Sequence, residues 1–300
     1  MMLWHYYINY YIISKSEMNS LYLHNIFNNN SFTLNDIKYK KYKYYFIPFI
    51  GLLEKNKRYS IPKKIFMESK IFYGNNKIIK INDLLFIQIN NNIFNRKKWY
   101  INTIKNIIKT YEKIFKYKIK FPIFVQINEY KKHNSKMFIG GFASYQGIEL
   151  ILYKNIKQHN NKNNIKWILS HELLHLFFPP IKSKYSTCWN EGFVDYLSLI
   201  LNFSQKEIQI LFNKKLKEYR YIKSLNNKKY VKQENPYIRG FLYGFLMNKL
   251  NIKKTLSFIQ QYLRERKYLI IPWINKEYYL FVKNNLFINK FCEQHIEYDI

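Results

Sequence analysis

Cysteine is almost missing from this chain. Cys188 and Cys292 are the only two in 300 residues, far apart and in no C-x-x-C spacing. A disulfide framework and a cysteine-ligated zinc site are excluded, and a reducing, cytoplasmic compartment is the expectation. Acids are few as well, with 19 Asp and Glu against 50 Lys and Arg and a net charge of +31. Glycine (8) and proline (7) are scarce, and Ala143 is the lone alanine. No apolar run approaches the roughly 18 residues needed to cross a bilayer. The opening MMLWHYYINYYIISK interleaves aromatic and polar residues where a signal peptide has an uninterrupted apolar stretch, and no small-residue cleavage site follows. A soluble protein is expected.

What is present is a core. Hydrophobic residues make up 48% of the chain, too many for a disordered one. The positive charge fits a nucleic-acid or anionic-membrane partner. It also fits general compositional drift, because lysine is spread along the whole chain beside abundant Asn, Ile, Tyr and Phe. No nucleic-acid-binding motif accompanies it, so no specific nucleic-acid partner is expected; oligomeric state is unreadable.

The pattern predicts an α+β fold in three parts. Residues 1–95 form a β-rich N-terminal region, with strands expected at Trp4–Ile13, Tyr44–Ile50, Lys70–Tyr73 and Leu84–Ile89 between Asn-rich turns. Residues 96–203 form a mixed α/β lobe. It opens with an amphipathic helix from about Arg96 to Phe115, whose apolar residues include Ile104, Ile107, Ile108 and Tyr111. A strand follows at Phe121–Ile127, then two short strands around a turn between Met137 and Tyr153. Three of the eight glycines, Gly140, Gly141 and Gly147, fall there, implying a close backbone approach or a hairpin turn. Residues 204–300 form a helical lobe, with helices from Ser204 to about Tyr221, Thr255 to Arg266 and Lys276 to Glu297. His5 and His24 have no metal-spaced partners and are read as structural, and His133 and His159 as solvated loop histidines.

The chemistry lies in Ile165 to Ser198. His171-Glu172-Leu173-Leu174-His175 is an H-E-x-x-H motif on a helix expected to run from Ile165 to Phe178 and to end at Pro179-Pro180. Four residues apart, the two histidines share one helix face, so both imidazoles can reach one zinc ion. Glu172 projects beside them, placed to take a proton from an activated water without being a ligand. A chance match is expected about 0.01 times in a chain of this composition. Asn163 or Asn164 is the expected cap of this helix. A second helix, capped by Ser186 or Thr187, is expected from about Trp189 to Leu201. It carries Glu191 and Asp195, again on one face. Glu191 completes a His2Glu set that leaves one position open, and Asp195 is placed to accept the other N–H of His171. Two solvated acids are the bland alternative, and the apolar neighbours Phe193, Val194, Tyr196 and Leu197 fit that poorly.

HELLH followed by WNEGFVDY resembles the gluzincin metallopeptidases, whose signature is H-E-x-x-H with a distal N-E-x-x-x-D. The W-N-E-G-F wording is similar to the aminopeptidase N family, and HELLHLFFPP to the glycyl aminopeptidase family. Pro236-Tyr237-Ile238-Arg239-Gly240 resembles the Y-x-K-G helix of both. The resemblance implies a thermolysin-like zincin catalytic domain holding one Zn2+. It implies Tyr237 as the phenol that steadies the oxyanion, and Gly140, Gly141, Phe142 and Ala143 as the strand to which a substrate backbone adds. Aminopeptidases carry an amine-binding glutamate in that strand, whereas this chain reads Gly141-Phe142-Ala143-Ser144.

The function expected is a zinc-dependent peptidase acting on peptide or protein substrates, with zinc on His171, His175 and Glu191 and Glu172 as general base. The alternatives are a basic nucleic-acid-binding protein with a structural zinc helix, and a catalytically inactive zincin-fold scaffold.

Overall fold

The computed structural model describes residues 20–37, 42–48, 50–90, 95–131, 141–144, 147–178, 188–224 and 252–265. The expected strand at Trp4–Ile13 and helix at Lys276–Glu297 lie outside these, as do His5 and His133. The described residues form both helices and sheets, in keeping with an α+β chain. Two compact units divide it: residues 1–102 with 119–168, and residues 103–118 with 169–300.

The first unit holds the sheets. Its early strands are short: β1 Ser20–Tyr22, β2 Ser31–Phe32, β3 Tyr44–Ile47, β4 Gly51–Leu52 and β5 Tyr59–Ser60. Helix α1 (Lys63–Glu68) then leads into β6 (Lys70–Gly74), β7 (Ile78–Lys80) and β8 (Leu85–Asn90). β3 stops at Ile47 rather than Ile50, because Pro48 supplies no N–H to continue the ladder. An antiparallel sheet runs in the order β1-β6-β3-β4, and β2 pairs with β5.

Helix α2 (Lys97–Phe115) follows. Tyr100, Ile104, Ile107, Ile108, Tyr111 and Phe115 are buried on one stripe, the 3.6-residue pattern of an amphipathic helix. It ends on Lys116 at φ 50°, and the Tyr117 N–H reaches back to the Glu112 carbonyl at 3.3 Å. That is a Schellman stop made without the usual glycine.

Strands β9 (Ile123–Tyr130), β10 (Gly141–Ser144) and β11 (Gly147–Tyr153) complete a five-stranded sheet ordered β10-β11-β9-β8-β7. Its centre is parallel: β8 pairs with β9 and β9 with β11. β10 and β11 form an antiparallel hairpin that places β10 at one edge. The polar residues of β9 are buried, and each meets a partner. Gln126 donates to the Tyr44 hydroxyl at 3.3 Å, Asn128 donates to Glu149 at 3.4 Å, and Glu129 accepts from Tyr100.

Gly147 owes its identity to packing between the two larger sheets. A Cβ there would overlap the ring of Phe72 and sit 3.0 Å from Pro48. Phe72 has nowhere to go, because it is fully buried against Phe124 with ring centroids 5.1 Å apart. Gly147→Ala is expected to cost about 1–3 kcal/mol, the ordinary penalty of overpacking a filled core. Denaturant unfolding of the variant measures it, and an unchanged midpoint would refute the packing argument.

Helices dominate the rest. α3 (Lys157–Asn160) and α4 (Lys162–Leu174) precede a π-helical turn at Cys188–Phe193. That turn runs into α5 (Val194–Asn202); α6 (Gln205–Ser224) and α7 (Ile252–Glu265) follow. In the second unit Tyr111, Phe115 and Phe177 stack with centroid separations of 5.6 to 6.1 Å. Gln260 of α7 donates to the Ile114 carbonyl at 2.6 Å. Ser204 and Glu207 cap α6 reciprocally. Among the described residues no helix is long and apolar enough to cross a membrane.

Candidate metal centre

The H-E-x-x-H segment sits at the end of α4. Asn161 caps that helix, accepting from the N–H groups of Asn163 at 2.8 Å and Asn164 at 3.3 Å. The expected caps are thus the donors, and the cap lies two or three residues earlier. The helix also stops earlier than Phe178. Leu176, Phe177 and Phe178 are all buried, and three successive apolar residues cannot share one helix face. The chain tightens after Leu174, with the Leu176 and Phe177 N–H groups reaching the carbonyls of Leu173 and Leu174. His171 and Glu172 therefore lie in the last helical turn, and His175 just past it.

Glu191 is not on an ordinary α-helix. Cys188–Phe193 winds as a π turn, and α geometry begins only at Val194. One extra residue is thus accommodated between the start of this segment and Asp195, a device frequent at functional sites. The expected caps Ser186 and Thr187 lie outside the described residues.

Five side chains of these elements, all within the second unit, come together. His171 Nε2 is 3.2 Å from His175 Nε2 and 3.2 Å from Glu191 Oε2. His175 Nε2 is 3.8 Å from Glu191 Oε2. Behind His171, its Nδ1 lies 3.4 Å from Asp195 Oδ1. Glu172 is nearly buried beside His171.

The electrostatics follow from that crowding. Burial works against a charge on His171. Hydrogen bonds to Asp195 and Glu191, with the charges of Glu172 and Glu191, outweigh it and hold its pKa well above the ordinary value. Burial pulls His175 down to about 4, against the pull of Glu191. A neutral imidazole is favoured there. Burial pushes Glu172 up to about 8; His171 opposes this, and Glu191 and Asp195 add to it. The pocket thus favours one positive charge among its lone pairs.

A metal ion suits that demand. His171, His175 and Glu191 each offer one ligand atom, all within 4.8 Å of one another. Tetrahedral zinc with bonds near 2.0–2.1 Å needs ligand atoms about 3.3 Å apart, and the separations of 3.2, 3.2 and 3.8 Å bracket that value. Two imidazoles and a carboxylate are zinc donors, and with His171 Nδ1–H directed at Asp195 its Nε2 lone pair faces the cluster.

The remaining predicted residues divide. Gly141, Phe142 and Ala143 form the β10 backbone at the sheet edge, whereas Gly140 and Tyr237 lie outside the described residues. Sequence reading assigned Tyr111 to the apolar stripe of α2 and passed over Ser170 and Asn202. The Tyr111 hydroxyl links the other two, donating to the Ser170 carbonyl and accepting from Asn202. The one available signal was a tyrosine on an otherwise isoleucine-rich stripe, since a buried hydroxyl needs a partner.

Fold and donor set together define a chain of mixed helices and sheets carrying a His2Glu cluster able to hold one metal ion. The fold is similar to that of native leukotriene A4 hydrolase from Saccharomyces cerevisiae. One structure of that enzyme aligns at TM-score 0.52 and 15% identity over 81% of this chain and 41% of the other. A second, of yeast LTA4 hydrolase, gives 0.51 and 15% over 79% and 39%. An aminopeptidase N family protein from Idiomarina loihiensis gives 0.47 and 12% over 67% and 42%, a looser superposition. The chain therefore spans about two fifths of the length of the hydrolases it matches, and at such identity the likeness is one of fold. No family model matches the sequence, and no curated protein matches it.

Proposed function

We propose that this chain is a zinc-dependent peptidase of the gluzincin type, hydrolysing peptide bonds in peptide or protein substrates. One observation carries the reading: three lone-pair donors, from His171, His175 and Glu191, meet at zinc-like spacing with Glu172 beside them. The fold shared with leukotriene A4 hydrolase supports it. When bound, a zinc ion polarises the scissile carbonyl and brings the pKa of water down towards about 7.

The chain's own residues supply the rest. Asp195 holds the Nδ1 proton of His171 and with it the orientation of the ring. Glu172 takes a proton from the attacking water and passes it to the leaving amine, and its burial raises the proton affinity on which that exchange depends. Tyr237 donates to the oxyanion, a role proposed from its motif. An extended substrate backbone adds to the strand Gly140 to Ala143, a role proposed from its motif. Gly141-Phe142-Ala143-Ser144 offers no carboxylate to grip a free amine, so substrates with a blocked N-terminus are accepted.

A peptide library in free and N-acetylated form tests this with the zinc-loaded protein. Cleavage of both forms is expected, abolished by a chelator and restored by zinc. Cleavage of free peptides alone would overturn the blocked-substrate reading. No chelator-sensitive cleavage in either form would overturn the peptidase.

A further inference from the structure

The two segments that bear the metal donors are tied together through a third helix. Tyr111 of α2 is fully buried, and its hydroxyl donates to the Ser170 carbonyl at 2.7 Å. That carbonyl belongs to the peptide unit leading into His171. Asn202, the last residue of α5, donates through Nδ2 to the Tyr111 hydroxyl at 2.8 Å and to the Ser198 carbonyl at 2.9 Å. Ser198 donates its own hydroxyl to the Asp195 carbonyl at 2.8 Å. A hydrogen-bonded chain thus runs from the backbone before His171 to the backbone of Asp195. It lies alongside the 3.4 Å contact between their side chains.

The chain is built to be rigid. Burial pushes the Tyr111 phenol far above its ordinary pKa, against the opposing effect of its bonds to Asn202 and Ser170, so the hydroxyl stays a donor. Its ring is locked edge-on against Phe177, with centroids 5.6 Å apart at 64°. Every member lies in the second unit. A metal centre tolerates little play, since ligands must hold within about 0.5 Å of their productive positions. The donors come from α4 and the π turn, two segments joined in sequence by a stretch of some length, so their spacing depends on what fixes one segment against the other.

We infer that Tyr111 and Asn202 are positioning residues for the metal centre: they set α4 against the segment carrying Glu191 and Asp195, and so hold the spacing at which one ion binds. The inference rests on the zinc reading above. It assigns Tyr111 a task beyond core packing, and gives Asn202 a purpose that its place at a helix end does not.

The test compares wild type with Tyr111→Phe, Asn202→Ala, the double variant and Gln260→Leu. The last removes a similar side-chain bond to the backbone of α2, and its side chain has no hydrogen bond to either donor segment. Three quantities are read for each: zinc affinity by chelator competition, the visible spectrum of the cobalt(II) form, and the unfolding midpoint of the metal-free protein. Each single variant is expected to bind zinc about tenfold more weakly, the low end of what supporting partners of a metal site contribute. The double variant should be no weaker than the worse single, as one shared chain requires. The cobalt band should change shape, and Gln260→Leu should lower the midpoint without moving affinity.

A fall in midpoint with zinc affinity within twofold of wild type and an unaltered cobalt band would overturn the inference. If Tyr111→Phe does not fold, Asn202→Ala decides alone, because that side chain is only half-buried and water can fill its place. Wild type that binds no zinc would overturn the zinc reading and this inference with it. Wild type that binds zinc beside unaffected variants overturns this inference only.

Discussion

Glu172→Gln is expected to keep its zinc and lose about 10²–10⁴-fold in hydrolytic rate, the span that a positioned general base contributes. The substitution is nearly isosteric, so packing around this almost buried side chain is preserved and the three donors stay where they are. What disappears is the capacity to accept a proton from water and deliver it to the amine. It also removes a carboxyl group beside His171 whose ionised form helps sustain the raised pKa of that ring. Zinc affinity should therefore shift only slightly. Metal content measured alongside turnover separates the effects, and a metallated Glu172→Gln that retains peptidase activity would remove Glu172 from the mechanism.

Glu191→Ala is expected to act in the opposite place, on metal rather than on proton transfer. Losing a supporting partner of a ligand costs roughly 10–100-fold in affinity. Losing a direct donor should exceed that, leaving the protein largely metal-free after dialysis. Among the described residues Glu191 Oε2 is also the one carboxylate oxygen within 3.2 Å of His171 Nε2, so its removal leaves two neutral imidazoles to hold a dication. The side chain is only partly buried, so the metal-free fold should be little affected, which an unfolding midpoint checks. A fully metallated Glu191→Ala would place the third ligand elsewhere.

Element positions were legible where local physics decides them. The period of Tyr100, Ile104, Ile107, Ile108, Tyr111 and Phe115 gave α2 to within one residue at its start, Arg96 against Lys97, and to the residue at its end. The β-branched and aromatic runs gave β3, β6 and β8. The polar letters of β9 hid its length: Gln126, Asn128 and Glu129 look like a strand running into a loop. They are buried because Tyr44, Glu149 and Tyr100 meet them, and those partners stand 21 to 82 residues away. Neither the parallel pairing of β8, β9 and β11 nor the supporting role of Tyr111 has a local signature. The donor cluster was readable in outline because His171, His175, Glu191 and Asp195 fall within one short stretch, where spacing along helices translates directly into spacing in space. The type of helix under Glu191 was not, since nothing in CWNEGF distinguishes a π turn from an α turn.

That π turn makes the segment sensitive to length rather than only to composition. Its surplus residue is held between the turn's start and α5, and deleting Gly192 would allow the coil to close as plain α-helix. Each residue of an α-helix turns the chain by about 100°, so the deletion would swing Glu191 around the axis relative to Asp195. The carboxylate would leave the histidines while every donor remained in the chain. Loops commonly absorb the gain or loss of a residue. Here one missing residue would dismantle the cluster without changing any of its members.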